Sequence, residues 1–274
     1  MNKEILIICR GGGDLATGIV HRLFRAGYQV LILETAEPAA IRRQVSFCEA
    51  VYEGTATVEG VTAERICTAK KQAVEEVLQR GRIPLLVDPD GRSIEVLKPD
   101  VVVDAIIAKK NLGTYKEMAP LVIGIGPGFV AGKDVHLVVE SMRGHNLARI
   151  FTTGSALPNT GIPGNIGGFT KERVIHAAAE GYMKNLHQIG DVVRKGEKIA
   201  RIYEQMSPEG VFSGRFVSVE ATIPGVLRGL IREGYHFQKG FKIADIDPRE
   251  SELANCFTIS DKASSIGGSV LEAV

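Results

Sequence analysis

One short glycine cluster constrains this chain more than any other feature. Gly11-Gly12-Gly13 stands between a continuous apolar run, Ile5-Leu6-Ile7-Ile8, and a pattern in which Leu15, Ile19, Leu23 and Ala26 recur at helical spacing. An apolar run of that length without polar alternation reads as a strand buried on both faces, as in a parallel sheet. Gly27 is placed to stop the helix. Val30-Leu31-Ile32-Leu33 then forms the next buried strand, which ends at Glu34. Strand, glycine loop, helix and strand make a βαβ unit.

In that setting Gly11-x-Gly13-x-x-Ala16 has the context of a dinucleotide fingerprint. Glycines let backbone approach a pyrophosphate, and first-turn amides with the helix dipole favour its charge. Glu34 stands where a carboxylate would meet a ribose hydroxyl. The competing reading is a tight βα turn with no ligand. Asp14 fits either a helix cap or a functional contact, because a carboxylate there would repel a phosphate. Thr17 and Gly18 lie one turn further and line the same expected pocket. Arg10 pairs with phosphates, pairs with Asp14, or is solvated. The cofactor-binding set is therefore Arg10, Gly11, Gly12, Gly13, Asp14, Thr17, Gly18 and Glu34.

The alternation continues downstream. The pattern predicts a hairpin within 49–66, a helix over Ala69 to Arg80, and strands at Ile83 to Val87, Val101 to Ile107, Leu121 to Ile125 and Val135 to Val139. Asp88-Pro89-Asp90-Gly91 is a strong turn signal. Strand carboxyl ends form the binding crevice of open α/β sheets, which adds Asp104 and Lys109 to the expected pocket. Lys109 also reads as a solvated helix end. Gly126 and Gly128, in Gly124-Ile125-Gly126-Pro127-Gly128-Phe129, form a second glycine loop, either for a second anionic ligand or as a plain turn. Glu140, Arg143 and His145 read as an acid/base group or as a polar strand-end loop.

Residues 154–169 are rich in glycine and proline and read as a linker or a site loop, with Leu157, Ile162 and Ile166 to pin them. Thr170 to Ala179 reads as a helix. An internal repeat follows: residues 181–202 align with 225–246, with identities that include Gly181/Gly225, Gly190/Gly234, Gly196/Gly240 and Ile202/Ile246. Two such copies close on each other as a small β-rich unit, because neither alone buries its apolar face. Carrier domains with this half-repeat present a modified lysine between the halves. Here Tyr203 to Gly210 contains no lysine, so no lipoyl or biotinyl role is expected.

The expected fold class is α/β: a Rossmann-like doubly wound parallel sheet followed by a barrel-sandwich-hybrid-like domain of two repeats. The expected domains are 1–150 (nucleotide-binding), 151–180 (connecting loop and helix), 181–250 (β-rich repeats) and 251–274 (C-terminal segment). The net charge of +1 gives no basic footprint for nucleic acid. No apolar run approaches a membrane span and no signal peptide is seen, so the cytoplasm is the expected setting. The four cysteines, Cys9, Cys48, Cys67 and Cys256, form no CxxC pair, and no metal site is expected. A dimer is the default assembly.

The string Cys9 to Gly18, the Gly124–Phe129 loop and the ending Asp245-Ile246-Asp247-Pro248-Arg249 resemble the YqeB family, accessory proteins of selenium-dependent molybdenum hydroxylase systems. The resemblance implies a role in maturing a molybdenum hydroxylase or its cofactor. It implies as partners that enzyme or its cofactor-maturation proteins. In role it is similar to XdhC-type maturation factors, whose cysteine motif is absent here. The resemblance carries over no catalytic residue. The leading expectation is thus an accessory factor that binds a nucleotide, NAD(P) or a molybdopterin nucleotide, through Gly11–Gly18. Its repeat domain would serve as a contact surface or lid. An NAD(P)-dependent oxidoreductase acting on a small molecule is the alternative, and a ligand sensor the third reading.

Overall fold

A computed structural model describes residues 4–161 and 164–274. Ile162 and Pro163, expected in the connecting loop, lie outside the described residues, as do residues 1–3. The chain divides into two compact units. The first comprises Met1–Pro38, Val45–Thr160 and Ile259–Val274, and the second Ala39–Gln44 and Gly161–Thr258.

The first unit runs β1 (Leu6–Arg10), α1 (Asp14–Arg25), β2 (Gln29–Glu34), α2 (Ala50–Glu53), β3 (Thr55–Val58), β4 (Val61–Ile66), α3 (Lys71–Gln79), β5 (Ile83–Val87), α4 (Ser93–Leu97), β6 (Val101–Asp104), β7 (Leu121–Ile125), β8 (Leu137–Val139) and β9 (Ile150–Phe151). These strands form one nine-stranded sheet in the order β3-β4-β5-β2-β1-β6-β7-β8-β9. The seven inner strands pair in parallel, while β3 and β9 close the edges antiparallel.

Side-chain alternation along the strands builds two cores. Ile7, Cys9, Val30, Ile32, Val101, Val103 and Ile123 point to one face, under α1 and the segment Val45–Val51. Ile8, Leu31, Leu33, Val102, Val122 and Val138 point to the other, under α3 and α4. The C-terminal helix of the chain, numbered here after its sheet-bound predecessors as α5 (Asp261–Ala273), adds Ile266 and Val270 to the first core.

This architecture corrects the expected fold class. The sheet is mixed rather than a doubly wound parallel Rossmann-like sheet. The winding also fails beyond β6: β6 joins β7 through a loop with one 3-10 turn, Lys116–Met118, and β7 joins β8 without a helix. The physical reason lies in 105–136, where Gly and Pro recur and no apolar stripe of helical period is long enough to bury a helix. Among the described residues no helix is long and apolar enough to cross a membrane.

The second unit holds β10 (Val174–His176), β11 (Gly181–Asn185), β12 (Val192–Val193), β13 (Lys198–Met206), β14 (Phe212–Glu220), β15 (Gly225–Leu230), β16 (His236–Phe237) and β17 (Lys242–Asp247). They form two four-stranded antiparallel sheets, β10-β17-β15-β12 and β14-β13-β11-β16. Each repeat supplies three strands and lends its short middle one to the other repeat's sheet: β12 pairs with β15, and β16 with β11. Neither copy is complete alone, which explains why the apolar positions recur in both. A Cβ at Gly181 would meet the carbonyl of Tyr203, and one at Gly225 would meet that of Asp247, so the same close approach demands glycine in each copy.

The expected helix over Thr170 to Ala179 is also corrected. Only a 3-10 turn, Lys171–Arg173, precedes β10, whose Val174 and Ile175 are buried and pair with β17. Tertiary pairing of β-branched residues outweighs the helical propensity of the alanines that follow.

Candidate functional site

The carboxyl ends of β1, β2, β6 and β8 carry Arg10, Glu34, Asp104 and Glu140, all within the first unit. Arg10 and Asp104 are each 2% exposed. The Arg10 Nη1 donates to Thr114 Oγ1 at 2.5 Å, and that hydroxyl donates to Asp104 Oδ2 at 2.5 Å. Arg10 also donates to the Pro89 and Leu112 carbonyls at 3.1 and 3.4 Å. Ile106 N donates to Asp104 Oδ1 at 3.1 Å. Burial pushes the Asp104 carboxyl up, against the pull of Thr114, Ile106 and Arg10. Arg10 and Asp104 are thus brought together as a buried staple that ties three strand ends, with their hydrogen-bonding groups turned onto protein.

The glycine loop is packed by its own chain. Gly12 N donates to Glu34 Oε2 at 2.7 Å, and Glu34 Oε1 accepts from Thr35 N at 2.8 Å. The Gly12 carbonyl accepts from Cys48 N at 2.8 Å and from Thr17 Oγ1 at 3.2 Å. Thr17 Oγ1 in turn accepts from Phe47 N at 2.9 Å. A Cβ at Gly11, where φ is +99°, would lie 2.9 Å from the Ala105 carbonyl oxygen, and one at Gly12 would lie 3.1 Å from Cys48 N. These glycines therefore admit neighbouring backbone. Glu34 is held on the loop's own amide, and burial raises its pKa despite its amide bonds.

Gly13 differs, because nothing lies within 4 Å of where its Cβ would stand. It is the N-cap of α1 and supplies no side-chain cap, so the expected cap role of Asp14 is corrected: Asp14 stands in the first turn. Gly18 packs on Ala263 of α5. Lys109 is exposed at φ +62°, beside Ile107 at φ +60°. Gly126 packs against Ser141, and Gly128 lies against the Lys110 backbone. His145 is exposed.

Sequence reasoning missed Lys262. Ser260 caps α5 by accepting from Ala263 N at 3.2 Å, and Asp261 takes a two-pronged bridge from Arg143 at 2.6 and 2.7 Å. This ties the first turn of α5 to the loop after β8. Lys262 is half-buried there. Desolvation lowers its pKa and Arg143 adds to that, while Asp14, Glu140 and Asp261 oppose it. Glu140 is fully buried and fixed, accepting from Met142 N at 2.7 Å and Leu157 N at 2.8 Å. Only the fold brings residue 262 to strand ends more than a hundred residues away, so no local motif marks it. Among the described residues, no three His, Cys, Asp or Glu side chains gather as metal ligands.

Cys9, Cys48 and Cys256 are buried and Cys67 is exposed. Burial, followed by the charges of Asp104 and Glu34, raises the Cys9 thiol far above its ordinary range. A thiol-selective reagent should therefore modify Cys67 quickly in the native protein and the other three only on unfolding. Rapid loss of a second thiol would contradict that assignment.

No protein-family model matches the chain. The chain is 47% identical over 269 residues to the uncharacterized protein YqeB of Escherichia coli (strain K12). That match covers 98% of this chain and 47% of the relative, so the chain spans about half the length of the curated relative it matches. The match supports the YqeB family; it does not carry the selenium-dependent molybdenum hydroxylase role. Similar solved structures include the product-bound ectoine utilization protein EutE (DoeB) of Ruegeria pomeroyi, at 12% identity and TM-score 0.28, covering 89% of this chain and 85% of that one. A succinylglutamate desuccinylase of a Silicibacter species matches at 12% identity and TM-score 0.27, covering 90% and 85%. An aspartoacylase family protein of Mesorhizobium loti matches at 10% identity and TM-score 0.30, covering 90% and 86%.

The packing of the glycine loop corrects both expected functions, the nucleotide-binding accessory factor and the NAD(P)-dependent oxidoreductase. The loop geometry gives the physical reason. The Gly12 amide, which a pyrophosphate would need as a donor, is already given to the Glu34 carboxylate, and the Phe47 and Cys48 amides bind Thr17 Oγ1 and the Gly12 carbonyl.

Proposed function

We propose that the first unit acts on a small polar metabolite at the carboxyl edge of its sheet, with Lys262 as the proton-transfer group. The observation that carries this reading is the seat of Lys262: a half-buried amine in the first turn of α5, under the influence of Asp14 from the first turn of α1 and Glu140 from the end of β8. Desolvation favours the neutral amine and the carboxylates favour the ammonium. An amine whose pKa is drawn below the ordinary lysine range gives up its proton more readily than a solvated one and can take it back. Glu140, locked by two amides, holds the orientation, and the open side of Gly13 leaves room for a ligand. An acidic C–H or N–H beside a carbonyl is the chemistry this amine suits.

The test is a ligand screen of small carbonyl and carboxylate compounds by calorimetry, repeated on Lys262→Met. Compounds that bind the wild type should lose roughly tenfold or more in affinity on removal of the charged partner. A library without a single binder, or binders that hold Lys262→Met equally well, would overturn the reading.

A further inference from the structure

A concavity lies along the α1–α5 groove, on the stretch of α1 that runs from Gly18 to its C-terminal end. It encloses about 280 Å³ and is lined by His21, Arg22 and Arg25 of α1, Glu59 of the β3–β4 turn, and Ser264 of α5, with Gly18 at its floor. The three basic side chains fall on one helix face because their spacing is i, i+1, i+4. Glu59 and Gly60 both have positive φ, at 45° and 78°, as a two-residue hairpin loop of mirror-image type requires. That turn brings the Glu59 carbonyl to 3.4 Å from His21 Nε2.

The charges do not cancel inside this hollow. Glu59 is its one carboxylate, and its Oε1 is taken by Ile259 N at 2.8 Å. Arg22 is held by Ser264 Oγ at 2.6 Å, which leaves the serine proton and the other guanidinium N–H groups to point elsewhere. The Arg25 side chain makes no hydrogen bond or ion pair among the described residues, and it is exposed. Basic residues in the last turn of a helix are favourable on dipole grounds alone. The dipole does not, however, call for the enclosing turn or for the serine that fixes Arg22.

We propose that this hollow is an oxyanion subsite that takes a phosphoryl group, held by the guanidinium of Arg25 with Arg22, Ser264 and His21 as further donors. Two guanidinium forks and a hydroxyl match a tetrahedral dianion better than a single carboxylate. The site is independent of Lys262 and stands or falls separately from it.

The experiment titrates inorganic phosphate and glycerol 3-phosphate into the full chain at constant ionic strength, followed by NMR. A parallel arm sediments the protein with phosphatidic acid vesicles against phosphatidylcholine ones. Saturable shifts centred on His21 and Ser264 are expected, weakened roughly tenfold or more in Arg25→Gln and unchanged in Lys262→Met. Arg25 is exposed, so that substitution leaves the fold intact. Vesicle binding that is lost in Arg25→Gln would assign the phosphoryl group to a lipid and also supports the site. Failure of both arms to show binding by roughly 10 mM phosphate, or equal binding by Arg25→Gln, overturns it.

Discussion

Arg10→Met should be among the most damaging single substitutions in the first unit, costing about 3–5 kcal/mol of stability. The side chains of Arg10 and Asp104 are both 3% exposed, and their charged atoms approach to 3.7 Å. Removing the guanidinium strands a buried carboxylate and leaves Thr114 with one bond fewer. The deficit should also depend on pH with a definite sign. Burial already raises the folded-state pKa of Asp104 above its unfolded value, so its protonation favours the folded chain. That contribution is present below the unfolded pKa and is lost as pH rises through the folded one. Without Arg10 the folded pKa rises further. The variant's deficit should therefore be full at neutral pH and shrink as pH falls through the raised Asp104 pKa. Urea unfolding of both proteins at pH 7 and near pH 5 reads this directly. An equal deficit at both values would mean that Arg10 acts only by packing.

Gly18→Val and Gly267→Val should each destabilise the same unit by roughly 2–3 kcal/mol and loosen α5 from α1. A Cβ at Gly267 would stand 2.6 Å from the Gly18 carbonyl oxygen, and one at Gly18 would stand 2.7 Å from the Ala263 Cβ and 2.8 Å from its carbonyl. Neither position has positive φ, so the requirement is for contact between helix backbones rather than for an unusual conformation. The obstacle is main chain, which does not move aside as a flexible side chain does. Gly268 is the control: its nearest neighbour is the Arg22 Nη1 at 3.9 Å, so Gly268→Ala should be neutral or stabilising. Hydrogen exchange of the α5 amides should accelerate in the two valine variants and not in the alanine one. Equal protection in all three would remove the helix crossing from the account.

Much of the local structure was legible in the sequence. The run Ile5–Ile8, the helix from Leu15 and the strand ending at Glu34 are where apolar periodicity puts them. The repeat was legible too, because identical residues recur at equivalent positions. The exchange of β12 and β16 between sheets was not, since two-residue strands leave no periodic signal. The meaning of the glycines was also hidden. Gly11, Gly12 and Gly18 look the same whether backbone or a phosphate approaches them, and only tertiary structure reveals Ala105, Cys48 and Ala263 in those places. Asp104 stands at the strand end where it was expected, but it was expected in a ligand pocket and Arg10 on phosphates, on Asp14 or in solvent, whereas the fold buries the two against each other. Lys262 carries no signal in its neighbourhood, because its chemistry arises from Asp14 and Glu140, which the chain supplies from far away.

The reactivity of Lys262 tests the central claim most directly. Competitive labelling with trace acylating reagent, carried out across pH and read lysine by lysine by mass spectrometry, reports both the pKa and the nucleophilicity of each amine. Lys262 should titrate below the ordinary lysine range. Glu140→Gln, which removes an opposing charge, should lower it further. A Lys262 that titrates with the ordinary lysines and ignores the Glu140 substitution would contradict the proposed proton-transfer site.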